Sequence, residues 1–199
     1  LRCITCSPSH SNLLKKEFDD FANDERLKER GEVVYDLETY EKALSNYKND
    51  SLFNIFKEDE LESIGLILFS GGEPFLDKKH KVFLKRLIDQ GYASKVRLDY
   101  NTNAMTLDYE LLEIWNEFRI VHLNLSVDAF GNLNEYIRKN VHWEKFESHC
   151  ETLINHPKTL VTFQTTVGAL NVLNLPQLYA WTHKMTRNKK DPFGNPLSR

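Results

Sequence analysis

Apolar residues recur at helical spacing in the first third of the chain and gather into short unbroken runs in the rest. Between Ser7 and Glu60 the composition is highly charged and of mixed sign, as in KKEFDDF, NDERLKER and FKEDE. Leu14, Phe18 and Phe21, then Leu37, Tyr40, Ala43, Leu44 and Tyr47, fall on helical stripes. This predicts two or three amphipathic helices with solvated outer faces. From Ile64 the pattern changes. The run IGLILFS is nearly continuous in apolar residues, as expected of a strand covered on both faces. The segment DKKHKVFLKRLIDQG follows, with Phe83, Leu84, Leu87 and Ile88 on one stripe, Asp77 as N-cap and Gly91 as C-cap. KVRLDYNTN reads as the next strand. LDYELLEIWNEF is the next helix, with Leu111, Ile114, Trp115 and Phe118 inward. RIVHLNLSVDA is a third strand, followed by helical segments near 133–139 and 142–155. LVTFQTTVGA is a fourth strand, and LPQLYAWTHKM a last helix with Pro176 in its first turn.

Strict alternation of strand and helix is the signature of a parallel sheet wound right-handed with helices outside. Four strands are visible and a fifth is expected before Leu1, which gives an α/β fold of open or partial barrel type. The tail DPFGNPLSR is turn-rich and is expected to be poorly ordered. Each predicted strand ends in small polar residues: Ser70-Gly71-Gly72-Glu73, Tyr100-Asn101-Thr102-Asn103, Ser126-Val127-Asp128 and Gln164-Thr165-Thr166. Ligands of α/β folds bind outside the carboxyl ends of parallel strands, so these clusters line one crevice. Any one of them is ordinary turn chemistry. Their recurrence at equivalent positions favours a site. Gly71 and Gly72 let the backbone turn sharply and approach a ligand, Glu73 offers a carboxylate suited to an ammonium, and Pro74 has no N–H to satisfy.

Composition narrows the class. Hydrophobic content of 41% and charged content of 28% over 199 residues suit a globular domain with a real core. A net charge of −3 gives no basic footprint for nucleic acid. No apolar run approaches the roughly 18–20 residues of a membrane span, and no signal peptide is recognisable. Three cysteines occur, Cys3, Cys6 and Cys150, which is not a disulfide framework and fits a reducing cytoplasm. The pair Cys3 and Cys6, with Ile4 and Thr5 between them, reads as metal or redox chemistry. A thioredoxin-like pair would need a preceding strand, and a structural zinc site usually needs a second such pair. Cys150 falls mid-helix and reads as a small core hydrophobe. His142 and His149 lie seven residues apart, about two helical turns, which disfavours a shared metal. His10, His80 and His122 have no partners identifiable in sequence.

Taken together, LRCITCSP, LFSGGEPFL, DYNTNA, LNLSVDAFG, EYIRKNVHWEKF and TTVGALNV resemble the radical S-adenosylmethionine enzymes, and more narrowly those carrying a twitch or SPASM-type C-terminal domain. The resemblance implies a radical S-adenosylmethionine core over 1–190: a partial (β/α)6-type parallel barrel lacking its first strand, with a charged helical insert at 7–60 and βα repeats over 61–190. Residues 191–199 would be a tail, and the twitch or SPASM domain would lie beyond this chain. The family binds a [4Fe–4S] cluster through C-x3-C-x2-C. Cys3 and Cys6 match its second and third cysteines, and the first is expected two residues ahead of Leu1. The residue before the last cysteine is often aromatic in the family, and here it is Thr5. The remaining iron would be chelated by the amino and carboxylate groups of S-adenosylmethionine. Gly71, Gly72 and Glu73 match residues that hold its amino group, and Asn103, Ser126 and Asp128 match strand-end positions lining the cofactor pocket. Arg138 resembles an arginine pairing with the cofactor carboxylate, and Thr166 and Ala169 fall where adenine or ribose is contacted.

The implied activity is reductive cleavage of S-adenosylmethionine to a 5′-deoxyadenosyl radical that abstracts hydrogen from a substrate. That chemistry requires an external electron donor and a peptide or small-molecule substrate. Two other readings are compatible with the sequence. One is a degenerate, non-catalytic barrel serving as a binding module. The other is a zinc-binding structural protein using Cys3 and Cys6, with His10 as an extra ligand.

Overall fold

A computed structural model of the protein describes residues 2–3, 56–190 and 192–194. Four strands form one parallel sheet: β2 (Leu66–Phe69), β3 (Arg97–Thr102), β4 (Ile120–Ser126) and β6 (Thr159–Gln164), in spatial order β2-β3-β4-β6. Between them run α2 (Lys78–Asp89), α3 (Tyr109–Trp115), and the pair α4 (Asn132–Ile137) and α5 (Trp143–Asn155). A short α1 (Glu58–Leu61) precedes β2, and α6 (Leu175–Thr186) follows β6. A separate antiparallel pair joins β1 (Arg2–Cys3) to β5 (Arg138–Lys139), with Arg2 opposite Lys139 and Cys3 opposite Arg138. Among the described residues the architecture is mixed α/β with a four-stranded parallel sheet that does not close, consistent with the expected partial barrel. The expected helical insert at 7–60 lies outside the described residues, except for its last few positions, where α1 begins. Among the described residues no helix is long and apolar enough to cross a membrane.

Local chemistry accounts for the helix ends. The Asp77 carboxylate caps α2 by accepting from the Lys79 amide at 2.8 Å, and Gly91 ends that helix at a φ of +76°. Asp108 caps α3 in the same way, accepting from the Leu111 amide. Lys81 on α2 pairs with Asp108 and Glu110 at the start of α3, which ties the two helices together at their surface.

Parallel strands alternate faces, and here the two faces differ sharply. Leu98, Tyr100, Val121, Leu123, Leu125 and Val161 are buried beneath the helices. Trp115 of α3 lies against Tyr100, its indole N–H directed to the Tyr100 hydroxyl at 3.4 Å, and Phe75 packs edge-on to Tyr100 and tilted against Trp115. A second aromatic group, Trp143, Phe146, Phe163 and Trp181, seals α5 and α6 over β6. Cys150 is fully buried in this layer, as its mid-helix position suggested, and burial pushes its thiol pKa up.

One expectation fails at β2. Its apolar run suggested cover on both faces, yet Leu66 and Leu68 are 57% and 58% exposed, while Ile67 and Phe69 pack on the core. Among the described residues β2 is an edge strand of the parallel sheet, and its alternate residues lie on the face that no described helix covers, the uncovered face. A continuous apolar run does not reveal which faces are covered.

Candidate functional site

The uncovered face carries the polar residues of the strands. The register aligns Asn101 with Asn124 and Asn124 with Thr162, and aligns Asp99 with His122. The side chains meet in a directed hydrogen-bond chain. Arg97 grips Asp99 through Nε at 2.5 Å and Nη2 at 2.9 Å, and its Nη2 lies 3.0 Å from His122 Nδ1. Thr162 donates its only hydroxyl proton to Asn124 Oδ1 at 2.5 Å, so at its 3.3 Å contact with His122 Nε2 the ring donates. Nδ1 of that ring is then the acceptor for Arg97. Asn124 Nδ2 donates to Asn101 Oδ1 at 2.9 Å, and Asn101 Nδ2 donates to Ser70 Oγ at 3.3 Å. The chain of donors thus runs from a guanidinium to a serine hydroxyl beside the Gly71-Gly72 turn. Hydrogen bonds in series polarise one another, so the terminal Ser70 O–H is strengthened as a donor.

At the carboxyl ends of the strands the sequence-predicted residues separate into two groups. The first surrounds Glu73. Gly71 and Gly72 are exposed, and Gly71 has a φ of +111°, a conformation that a Cβ would strain. The turn is pinned by Pro74 and Phe75, both buried, which open a short 3-10 helix. Glu73 caps that helix, accepting from the Phe75 amide at 3.3 Å. Its Oε1 also accepts from Thr102 Oγ1 at 2.6 Å, and its Oε2 accepts from the Asn103 amide at 2.9 Å. Burial pushes the Glu73 pKa up, against the lowering effect of these bonds. No lysine, arginine or histidine among the described residues forms an ion pair with it. Among the described residues these three donors leave one lone-pair direction of Oε2 unused, since a carboxylate accepts about four bonds. Asn103 presents its amide at the same place, with its own Oδ1 turned back to the Met105 amide at 2.9 Å.

The second group surrounds Asp128, which is almost wholly buried. Its Oδ2 accepts from Arg138 Nη1 and its Oδ1 from the Thr166 amide, both at 2.9 Å. Asn134 Oδ1 receives the Asp128 and Ala129 amides, and Asn171 Nδ2 bridges the carbonyls of Asp128 and Thr166. Asp128, Arg138 and Thr166 are therefore brought together, but as a knot tying the loops after β4 and β6. Ser126 is partly exposed at the end of β4, and Ala169 is exposed on the loop after β6. Arg138 also belongs to β5, so the backbone of Cys3 lies opposite it. Cys6 lies outside the described residues. Among the described residues no group of three or more His, Cys, Asp or Glu is placed to hold a metal.

Sequence reasoning did not single out Thr102, although the polar strand end containing it was recognised. Nor did it find partners for His122 or His149. His149 directs Nδ1 to the Ala104 carbonyl at 2.7 Å, a backbone partner that leaves no trace in sequence.

The donor set fits the S-adenosylmethionine end of the expected site: an anion with no ion-paired side-chain cation among the described residues, beside two glycines and polar strand ends. For the cluster, Cys3 is tethered by backbone pairing to the arginine beside Asp128. No curated protein and no solved structure matches the chain. The family model described as Radical SAM superfamily matches residues 1–171, so with most of its length covered this chain belongs to the radical SAM superfamily.

Proposed function

We propose that this chain is the catalytic core of an enzyme that uses a [4Fe–4S] cluster and S-adenosylmethionine to abstract hydrogen from a substrate. One observation carries the reading: a half-buried glutamate, raised in pKa by its burial, held by three donors and paired with no side-chain cation among the described residues. A ligand ammonium supplies the missing charge, and the amino group of S-adenosylmethionine is such a group. Gly71 and Gly72 admit that group without Cβ obstruction. Asn103 and Ser126 line the same rim. Asp128 and Arg138 build the rim on which the pocket stands, and Thr166 is fixed to it through its amide. Cys3 and Cys6 are the two cluster ligands that this chain contributes. When bound, cluster and cofactor supply a hydrogen-abstracting carbon radical, and the protein's part is orientation and the exclusion of water and oxygen.

A peptide is the substrate class we favour. The uncovered face ends in neutral donors, the Ser70 hydroxyl and the Asn101 and Asn124 amides, which suit carbonyl acceptors. The whole-chain test is anaerobic reconstitution of the full-length protein with iron and sulfide, followed by dithionite and S-adenosylmethionine. Formation of 5′-deoxyadenosine is expected. Its absence from protein with a spectroscopically verified [4Fe–4S] cluster refutes the activity and leaves the binding-module reading. Glu73→Ala should weaken S-adenosylmethionine binding by about 1.5–3 kcal/mol, as for loss of a charge-assisted hydrogen bond.

A further inference from the structure

Building on that reading of Glu73, we infer that His149, on α5, is the positioning residue that keeps the Glu73 carboxylate in its working geometry, acting through a strained alanine. Ala104 is wholly buried and adopts a φ of +52°, a left-handed conformation that residues with a Cβ seldom occupy. Such backbone persists only where its surroundings over-determine it. Two of the restraining bonds are local to the turn: the Ala104 amide to Thr102 Oγ1 at 3.0 Å, and the Met105 amide to Asn103 Oδ1 at 2.9 Å. The third comes from another element, with His149 Nδ1 at 2.7 Å from the Ala104 carbonyl. A carbonyl only accepts, so Nδ1 carries the proton.

The consequence reaches Glu73 in defined steps. With Ala104 held left-handed, its amide occupies a lone pair of Thr102 Oγ1 and leaves the hydroxyl proton directed at Glu73 Oε1, 2.6 Å away. The same turn aims the Asn103 amide at Glu73 Oε2. Two of the three donors on the carboxylate therefore depend on one backbone conformation. The external hold on that conformation is a histidine forty-five residues further along the chain. The core neighbours Phe146, Cys150 and Leu153 anchor α5 and so fix where that ring can reach.

The test uses the full-length, anaerobically reconstituted protein. S-adenosylmethionine affinity is read from the change it causes in the reduced cluster's electron paramagnetic resonance spectrum. Amide hydrogen exchange over 101–107 is read in the cluster-free protein. His149→Ala should weaken S-adenosylmethionine binding about tenfold and speed exchange at the Asn103 amide, while His149→Asn, whose Nδ2 replaces Nδ1, should stay within about twofold. Adding Ala104→Gly to His149→Ala should restore most of the affinity, because glycine takes positive φ without a strut. Mere loss of packing is not repaired by removing a further methyl group. If His149→Ala does not fold, His149→Gln, with its donor displaced by one methylene, is expected to lose affinity and to be rescued by Ala104→Gly in the same way. Glu73→Gln separates the two levels. If it weakens binding and the His149 variants do not, or if Ala104→Gly rescues nothing, the strut is overturned and the role of Glu73 stands. If Glu73→Gln binds normally, the reading of Glu73 falls and the cofactor role of His149 falls with it. Unchanged Asn103 exchange in His149→Ala overturns the strut by itself.

Discussion

Asp128 and Arg138 both resemble cofactor-binding residues in sequence, yet they are bonded to each other, and cutting that bond has a calculable cost. Asp128 is 1% exposed, and the Arg138 side chain is 12% exposed. Asp128→Ala strips Arg138 Nη1 of its acceptor in a place where Arg138 Nε is already buried without one. The Thr166 amide loses its acceptor too. Removing one partner of a buried pair costs about 3–5 kcal/mol, because a charge is left desolvated and unpaired. With a urea m-value of about 2 kcal/mol/M, the unfolding midpoint should fall by about 1.5–2.5 M. Asp128→Asn does not escape, since its amide nitrogen would confront either the guanidinium or the Thr166 N–H, donor against donor. Arg138→Leu should cost about as much, because it leaves the 1% exposed Asp128 carboxylate without its cation, with the Thr166 amide as the remaining donor to its side chain. The double variant Asp128→Ala with Arg138→Leu should be less damaged than the sum of the singles by about 0.5–3 kcal/mol, the usual coupling of contacting groups. All of this is measured on cluster-free protein without S-adenosylmethionine. If the pair existed chiefly to bind the cofactor, the ligand-free stability would scarcely move. A loss under about 1 kcal/mol for Asp128→Ala, or strict additivity, refutes the structural role.

Further predictions concern Glu73, Trp115 and Cys150. The folded pKa of Glu73 is raised by burial, so the neutral carboxyl favours the folded state at low pH, and that contribution is lost as pH rises from 4.5 through the raised folded value. Measured against Glu73→Gln, which cannot ionise, the ligand-free wild type should lose relative stability between pH 4.5 and pH 8; a relative gain contradicts the assigned direction. Trp115→Ala removes a wholly buried ring from its contacts with Tyr100 and Phe75 and should cost about 3–5 kcal/mol in chemical denaturation. A cost below about 1 kcal/mol would mean that this core is not packed as described. Because burial disfavours its thiolate, Cys150 should resist iodoacetamide in the native protein and react on unfolding, as peptide mass spectrometry reads. Equal rates in both states would place it at the surface.

What the sequence made legible is what local chemistry dictates. The parallel strands and the long helices follow from runs and stripes of apolar residues. The cap at Asp77 and the stop at Gly91 follow from side-chain and backbone preferences acting within one turn. The polar strand ends follow from the two-residue alternation that sends neighbours to opposite faces. The features it hid depend on distance along the chain. β5 has two residues and no periodicity, and its partner β1 lies more than a hundred positions away. Asp128 and Arg138 are separated by α4, so nothing in LNLSVDAFG or EYIR signals that they meet. An alanine announces no left-handed turn; Ala104 takes one because Thr102 and His149 bond its two backbone groups. At β2 the sequence misled, because Leu66 and Leu68 are as apolar as Ile67 and Phe69 but lie on the uncovered face.

Register explains why the polar and apolar rows remain separate, and it also explains the one residue that joins them. Leu98 and Tyr100 are fully buried, while Asp99 and Asn101 belong to the hydrogen-bonded face between them. A one-residue slip of β3 would drive a carboxylate and an amide under the helices and bring Leu98 and Tyr100 out. The rows of Asn101, Asn124 and Thr162 are therefore held in line by apolar burial on the opposite face, as well as by their own bonds. Thr102 breaks the rule: it is polar, yet it lies on the helix side and is 2% exposed. A buried hydroxyl needs partners, and this one takes the Ala104 amide and gives its proton to Glu73. The carboxylate that would meet the cofactor is thus fastened from the core side of the sheet, where side chains have the least freedom. A donor from the uncovered face, such as the exposed Ser70 hydroxyl, would hold it less firmly. The rigidity of the proposed cofactor site therefore comes from the packed layer behind it, through a threonine that the alternation of faces would have made apolar.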